Sequence, residues 1–247
     1  MLSSLCVQIG TLKERCPICT HRLKLLNEVS VLSYIMAILL GLVQGVAEFL
    51  PISSSGHLTL LQHFFGMEEV DNLYNILLHF ATLIAVFIAY RKDIAEMIVE
   101  FFRGLAARRG AREAGRPPEA RRLVMLVIVG TLPLFVVLPI EGLVEGLGNS
   151  PAVVSVMLLV TGCLLFLSDR LARGTKTART ATVKDAVLVG VAQGIATIPG
   201  LSRSGTTISA GMMLGFDRKF AVRYSFLLSL PAVLGATLLK VIDVATG

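Results

Sequence analysis

GLVQGVAEFLPISSSGHLT (residues 41–59) and GVAQGIATIPGLSRSGTTI (190–208) align without gaps at an offset of 149, with seven of nineteen positions identical. The shared residues include Gln44/Gln193, Gly45/Gly194, Ser53/Ser202, Ser55/Ser204 and Gly56/Gly205. Each copy is an apolar run, a Pro/Gly/Ser break and a second apolar run. Proline ends the first half-helix, because it lacks the N–H that the next turn needs. Irregular backbone at membrane depth is tolerated only where protein or water surrounds it. The pattern therefore predicts two re-entrant helical hairpins, over 33–66 and 183–216.

The remaining chain supports a membrane setting. Of 247 residues 54% are hydrophobic and only 16% charged, with a mean hydropathy of +0.76; soluble domains carry roughly 25% charged residues. Residues 73–90, 123–140 and 152–168 match the length of apolar helix that crosses a bilayer. A fourth span, 220–241, has Arg223 and Lys240 near its ends. Pro133, Pro139 and Pro231 fall in these spans, where membrane helices accommodate them. The net charge of +6 is concentrated in two loops: 91–122 has nine Lys/Arg and 169–184 has five. The positive-inside rule makes both cytoplasmic and accounts for the basic balance without nucleic acid. The turns at 66–72 and 141–151 carry acidic residues and no basic ones, so they face outward. There is no Trp, which leaves the aromatic belt thin.

For this topology to close, each hairpin must enter and leave on one side. Three spans separate the copies, and an odd number inverts the second. The expected fold is an all-α polytopic membrane protein, an inverted-topology repeat whose two hairpins meet near the midplane, as in transporter architectures. Repeat 1 covers 33–170. Repeat 2, 183–247, holds a hairpin and one span, so its last two spans are expected to be missing.

Residues 1–32 are an extension without a clean signal-peptide pattern. Cys6 and the CPICTH run, with Cys16, Cys19 and His21, lack the second pair that a four-ligand zinc site needs. Lys13, Arg15, Arg22 and Lys24 would lie on the outer side, against the charge rule, which points to a start near Met36. Cys163 is expected to pack within its span.

The chemistry sits at the breaks. Gln44 and Glu48 share one helical face. A carboxylate near the bilayer centre costs at least ~2.5 kcal/mol on insertion scales and marks a functional site by default. Ser53, Ser54 and Ser55 follow Pro51 at the start of the second half-helix, where free N–H groups and the helix dipole suit phosphate; plain N-capping is the alternative. His57, one turn on beside Gly56, has acid/base character. In the second copy Thr197, Arg203 and Thr206 replace Glu48, Ser54 and His57. Ser202, Arg203, Ser204, Gly205 and Thr206 form a Gly/Ser loop with a guanidinium that suits phosphate oxygens. One half thus offers carboxylate, hydroxyl and imidazole, and the other a phosphate clamp. His79 could line the cavity or pack; His63 reads as helix surface, and Asp217, Arg218 and Lys219 as a solvated turn.

At these residues the chain resembles the bacterial undecaprenyl-diphosphate phosphatase family, also called bacitracin-resistance proteins. QGVAEFLPISSSGH fits the family's (E/Q)xxxE segment running into PxSSxGH, PGLSRSGTT fits PGxSRSGxT, and HFATLIAVFIAYRKDI (79–94) looks like its next span. The similarity covers about 33–247. It implies hydrolysis of undecaprenyl diphosphate to undecaprenyl phosphate and inorganic phosphate, which recycles the lipid carrier of peptidoglycan synthesis and confers bacitracin resistance. It implies a divalent metal, Mg²⁺ or Ca²⁺, held by Glu48. By motif position, Gln44 and Glu48 are the acidic-motif residues, Ser54 the nucleophile or phosphate ligand, His57 the acid/base and Arg203 the diphosphate clamp. Ser53, Ser55, Gly56, Ser202, Ser204, Gly205 and Thr206 would surround the substrate. The implied setting is the bacterial inner membrane, with the site open to the outer face, a polyprenyl diphosphate as partner, no nucleic acid, and room for a homo-oligomer. The repeat alone would favour a lipid or small-molecule transporter or flippase, and a non-catalytic membrane component is a third class.

Overall fold

The structure, a computed structural model, describes residues 34–66, 72–107 and 119–246. The cysteine-bearing extension, most of the acidic 66–72 turn and the Arg108–Arg116 stretch lie outside the described residues. The chain divides into two units, 1–42 and 43–247. Of the first, only the start of one helix is described, and everything below concerns the second.

Among the described residues the fold is all helical. In chain order the helices are α1 (Tyr34–Phe49), α2 (Ser54–Phe64), α3 (Asn72–Ala89), α4 (Arg91–Ala107), α5 (Glu119–Thr131), the short α6 (Leu134–Val137) and α7 (Glu141–Gly146), α8 (Pro151–Leu171), α9 (Val183–Ile195), α10 (Arg203–Met213) and α11 (Arg218–Thr246). Three stretches are long and apolar enough to cross a bilayer: Glu119–Val137, Pro151–Leu171 and Arg218–Leu238. They match the spans expected at 123–140, 152–168 and 220–241. The expected span at 73–90 is α3, whose apolar part, Leu77–Ala89, is shorter.

Two expectations need correction. The 123–140 span is not one helix. It breaks at Leu132–Pro133 and continues as α6 and a 3-10 turn, Leu138–Ile140, because Pro133 and Pro139 each remove a backbone donor. Residues 91–107 of the basic loop are the helix α4. Its charges are organised: Glu100 pairs with Arg103 at 3.0 Å and Arg121 at 3.4 Å, while Asp93 and Glu119 both pair with Arg223 on α11. Ile94 and Met97 pack on the core.

Three of the hairpin helices are too short to cross. α2 and α10 have 11 residues each and α9 has 13, which is about 16–20 Å at 1.5 Å per residue against a hydrocarbon core of about 30 Å. The base of the second hairpin is closed by backbone hydrogen bonds. Lys176 N–H donates to the Gly215 carbonyl (2.9 Å) and Asp217 N–H to the Lys176 carbonyl (2.8 Å). The chain therefore enters 177–215 and leaves it at one point, which is what a re-entrant segment requires. Nearby, Thr182 caps α9 in a capping box with Asp185, and Lys176 Nζ reaches both Asp185 oxygens at 3.1 Å. A cap of this kind contributes about 1 kcal/mol.

The core is built by α3, α5, α9, α10 and α11 around Leu123, Leu126, Val189, Tyr224, Leu227 and Leu228, all fully buried. α5 and α9 cross in backbone contact: a Cβ on Gly190 would lie 2.2 Å from the Gly130 carbonyl oxygen. A Cβ on Gly130 would lie 2.6 Å from Tyr224 Oη, and that hydroxyl donates to the Leu126 carbonyl at 2.7 Å. Small residues at such crossings let membrane helices approach closely, and buried hydroxyls join them. Ser168–Ser209 (3.0 Å) and Thr207–Ser225 (2.6 Å) tie α10 to α8 and α11 in the same way.

Candidate active site

The first break begins where α1 ends at Phe49 and Pro51 prevents its continuation. Ser53 then caps α2, its Oγ accepting from Gly56 N–H at 3.3 Å. The second break repeats this chemistry: Ser202 caps α10, its Oγ accepting from Gly205 N–H at 3.0 Å. Ser53 and Ser55 hydroxyls meet at 3.4 Å, and Ser202 and Ser204 at 3.3 Å. α8 supports the second break: Thr161 Oγ accepts from Ser202 N–H at 3.0 Å.

The breaks touch each other. A Cβ on Gly56 would fall 3.0 Å from Gly200 Cα, and one on Gly205 would fall 2.7 Å from the Pro51 carbonyl oxygen. Gly205 lies 149 residues after Gly56, and Gly200 lies 149 after Pro51. The two contacts are thus the same contact taken reciprocally. Only glycine permits this approach at 56 and 205, and Gly200 also needs its φ of 90°.

The first half holds a continuous hydrogen-bonded chain. Gln44, fully buried, donates Nε2–H to Glu48 Oε2 at 3.1 Å. The same oxygen accepts the Ser54 hydroxyl at 2.5 Å, a separation typical of a charge-assisted O–H···O⁻ bond. His57 donates Nδ1–H to the Ser53 carbonyl at 2.8 Å, which leaves Nε2 as its open nitrogen. Ser54 therefore faces Glu48 rather than His57. Gln44 Oε1 is buried without a donor.

The second half differs. Arg203 is half-buried and makes no ion pair or side-chain hydrogen bond among the described residues, so it is not neutralised by Glu48. Thr206 Oγ is buried without a partner, and Thr197 donates to the Gly194 carbonyl at 2.8 Å. His79 is engaged by the Asn75 carbonyl at 2.9 Å, and His63 is exposed. Cys163, expected to pack, is exposed. Among the described residues no three His, Cys, Asp or Glu cluster as metal ligands.

Sequence reasoning missed the backbone of Ser53. It is buried with φ 69° and ψ 94°, while Ser202 has an ordinary φ of −71°. Left-handed backbone at a non-glycine residue costs about 1–3 kcal/mol and collects at functional sites; no composition signal announces it. Glycine caps only a few tenths of a kcal/mol less well than serine. Ser53→Gly is therefore expected to be at least as stable as wild type, and Ser53→Ala less stable by about 1 kcal/mol. Ser202→Gly, with no strain to relieve, should only lose stability. Thermal unfolding in detergent reads all three.

The sequence profile of bacitracin resistance protein BacA matches residues 37–247. The chain is 44% identical over 216 residues to an undecaprenyl-diphosphatase of Desulfosudis oleivorans, covering 86% of this chain and 79% of that protein. It is 42% identical over 222 residues to an undecaprenyl-diphosphatase of Methanosphaera stadtmanae (87% and 80%). It is 39% identical over 221 residues to undecaprenyl-diphosphatase 1 of Shouchella clausii (87% and 77%).

Proposed function

The chain belongs to the bacitracin resistance protein BacA family, and from that premise we propose that it hydrolyses undecaprenyl diphosphate to undecaprenyl phosphate and inorganic phosphate within the membrane. The observation that carries the site assignment is the Gln44–Glu48–Ser54 chain lying at a break that touches the Arg203 loop.

The chemistry follows from those positions. Ser54 Oγ attacks the terminal phosphorus while its proton passes to Glu48 Oε2. A P–O bond forms to Ser54, and the bond from that phosphorus to the bridging oxygen breaks, releasing undecaprenyl phosphate. Water then attacks the phosphoseryl phosphorus, its proton passing to the open His57 Nε2; the bond from phosphorus to Ser54 Oγ breaks, Glu48 returns its proton to that oxygen, and inorganic phosphate is freed. Arg203 and the N–H groups at the start of α10 stabilise the charge on the transferred group. A shape in which one half carries the base and hydroxyl and the other a free cation suits phosphoryl transfer better than a symmetric transport path.

A hard divalent cation fits the residues present. Glu48 supplies a carboxylate, and the buried Gln44 Oε1 is an oxygen without a donor. Mg²⁺ sites pair one or two such oxygens with substrate phosphate and water. Bound there, Mg²⁺ or Ca²⁺ would neutralise charge on the diphosphate.

The basic residues around Lys176 favour a cytoplasmic base for the second hairpin. This supports a cytoplasmic-membrane enzyme whose first hairpin, and site mouth, open to the outer face. Purified chain in detergent should release phosphate from farnesyl diphosphate or undecaprenyl diphosphate. Excess EDTA should cut the rate at least about 10-fold, with recovery on adding Mg²⁺. No phosphate release from either lipid with Mg²⁺ present would refute the activity.

A further inference from the structure

Gln193 is only 1% exposed, and neither its Nε2 nor its Oε1 has a partner among the described residues. Leaving a buried amide unpaired is costly, so such a group calls for an occupant. Its counterpart shows what kind. Gln44 lies 149 residues earlier, and its Nε2 donates to Glu48 Oε2, which also accepts from Ser54. In the first hairpin one carboxylate oxygen therefore bridges the amide before the break and the first residue of the helix after it.

The second hairpin keeps the donors and lacks the acceptor. Gln193 stands for Gln44, and Arg203, a stronger donor, stands for Ser54. The carboxylate's position is Thr197, whose hydroxyl turns back to its own helix at the Gly194 carbonyl. Thr206, in the first turn of α10, is 8% exposed and brings a buried hydroxyl that also lacks a partner among the described residues. The two hairpins meet through reciprocal contacts, which bring Gly200, three residues after Thr197, against Gly56 of the first hairpin.

We infer that Gln193 is a substrate ligand: its amide N–H, with Arg203, binds an anionic phosphate oxygen that takes the place of the carboxylate missing from the second hairpin. The inference rests on the diphosphate-hydrolysis reading and adds a binding residue to it. The phosphate oxygen is charged and acceptor-only, like the Glu48 oxygen it replaces. Gln193 is a binding group, remote from the proton transfer at Ser54, so its loss shows in KM and in phosphate inhibition more than in kcat.

The test uses the full chain in detergent, as wild type, Gln193→Met and Thr197→Glu. Methionine keeps the volume and removes the unpaired amide, so that variant is expected to fold. Losing one hydrogen bond to a charged oxygen predicts a KM for farnesyl diphosphate about tenfold higher, and inhibition by inorganic phosphate about tenfold weaker. The melting temperature should be unchanged or raised. Thr197→Glu restores an internal carboxylate and should weaken phosphate inhibition at least as much. If Gln193→Met raises stability but keeps KM and phosphate inhibition within about twofold of wild type, the amide holds only water and the inference is overturned. Unchanged phosphate inhibition in Thr197→Glu counts against it independently. If wild type hydrolyses no prenyl diphosphate, the activity reading fails by itself. Calorimetric binding of pyrophosphate to wild type and Gln193→Met then decides the role of the amide: about tenfold weaker binding supports it and equal binding ends it.

Discussion

Glu48→Gln is expected to lower kcat for prenyl-diphosphate hydrolysis by about 10³-fold, the middle of the range for loss of a general base. The substitution keeps size and shape. The Ser54 hydroxyl can still donate to the new carbonyl oxygen, and a neutral amide is easier to bury than a carboxylate. Melting temperature is therefore expected to hold or rise while turnover collapses. A structural role for Glu48 would give the opposite pattern, a lower melting temperature with turnover falling only in step with folded protein. Ser54→Ala should match the loss in kcat, because the two groups act as one unit joined at 2.5 Å, and combining the substitutions should cost little more than either alone. Nearly additive losses would show that Ser54 and Glu48 work separately. Quenching wild type in acid during turnover should trap phosphate on Ser54; its absence, with Ser54→Ala still inactive, would make Ser54 a ligand that positions water.

Gly205→Val should be the most damaging change that removes no chemical group. The first added carbon would sit 2.7 Å from the Pro51 carbonyl oxygen and 3.0 Å from Ser202 Cβ. Neither neighbour can swing away, since one is backbone and the other is the residue capping α10. Overpacking of this kind costs about 1–3 kcal/mol. The larger effect falls on activity, because the contact sets the separation of the Glu48 half from the Arg203 half. A 1 Å misplacement can cost about 10²-fold in rate, and at least that loss is expected. Gly162→Ala on α8 is the control. A Cβ there meets nothing within 4 Å, and alanine is the better helix former by up to about 1 kcal/mol. If Gly205→Val keeps normal turnover, the hairpins are not held by this contact.

The hairpins were legible because the same residues occur twice. Gln, Gly, Ser, Ser and Gly at fixed spacing locate both breaks, and the helices stop within a few residues of the expected places. The long spans at 152–168 and 220–241 were legible from length and apolarity; the structure extends the second to Thr246 and carries it through Pro231 without a break. α4 was hidden because its charges resembled the rest of a basic loop. Its acidic residues matter through partners far away in sequence, as in Asp93 with Arg223. At the site, residue types were readable but pairings were not. His57 and Glu48 both read as the base that activates Ser54. The fold sends His57 Nδ1 to the Ser53 carbonyl and turns Ser54 toward Glu48, six residues earlier. Which half of a helical turn a hydroxyl faces depends on the backbone at Ser53, and nothing in PISSSGH encodes a positive φ. Gln193 was visible as an identity with Gln44, but its lack of any partner is a property of packing alone.

The junction of Gly130, Gly190 and Tyr224 holds the second hairpin rigidly. Where backbone lies on backbone, with a tyrosine hydroxyl wedged beside it, no slack remains for sliding. α9 cannot tilt without dragging α5 and α11 with it, so the arginine-bearing half is mounted like an anvil on two spans. Gly194 adds to that mount: its would-be Cβ falls 3.2 Å from Val137.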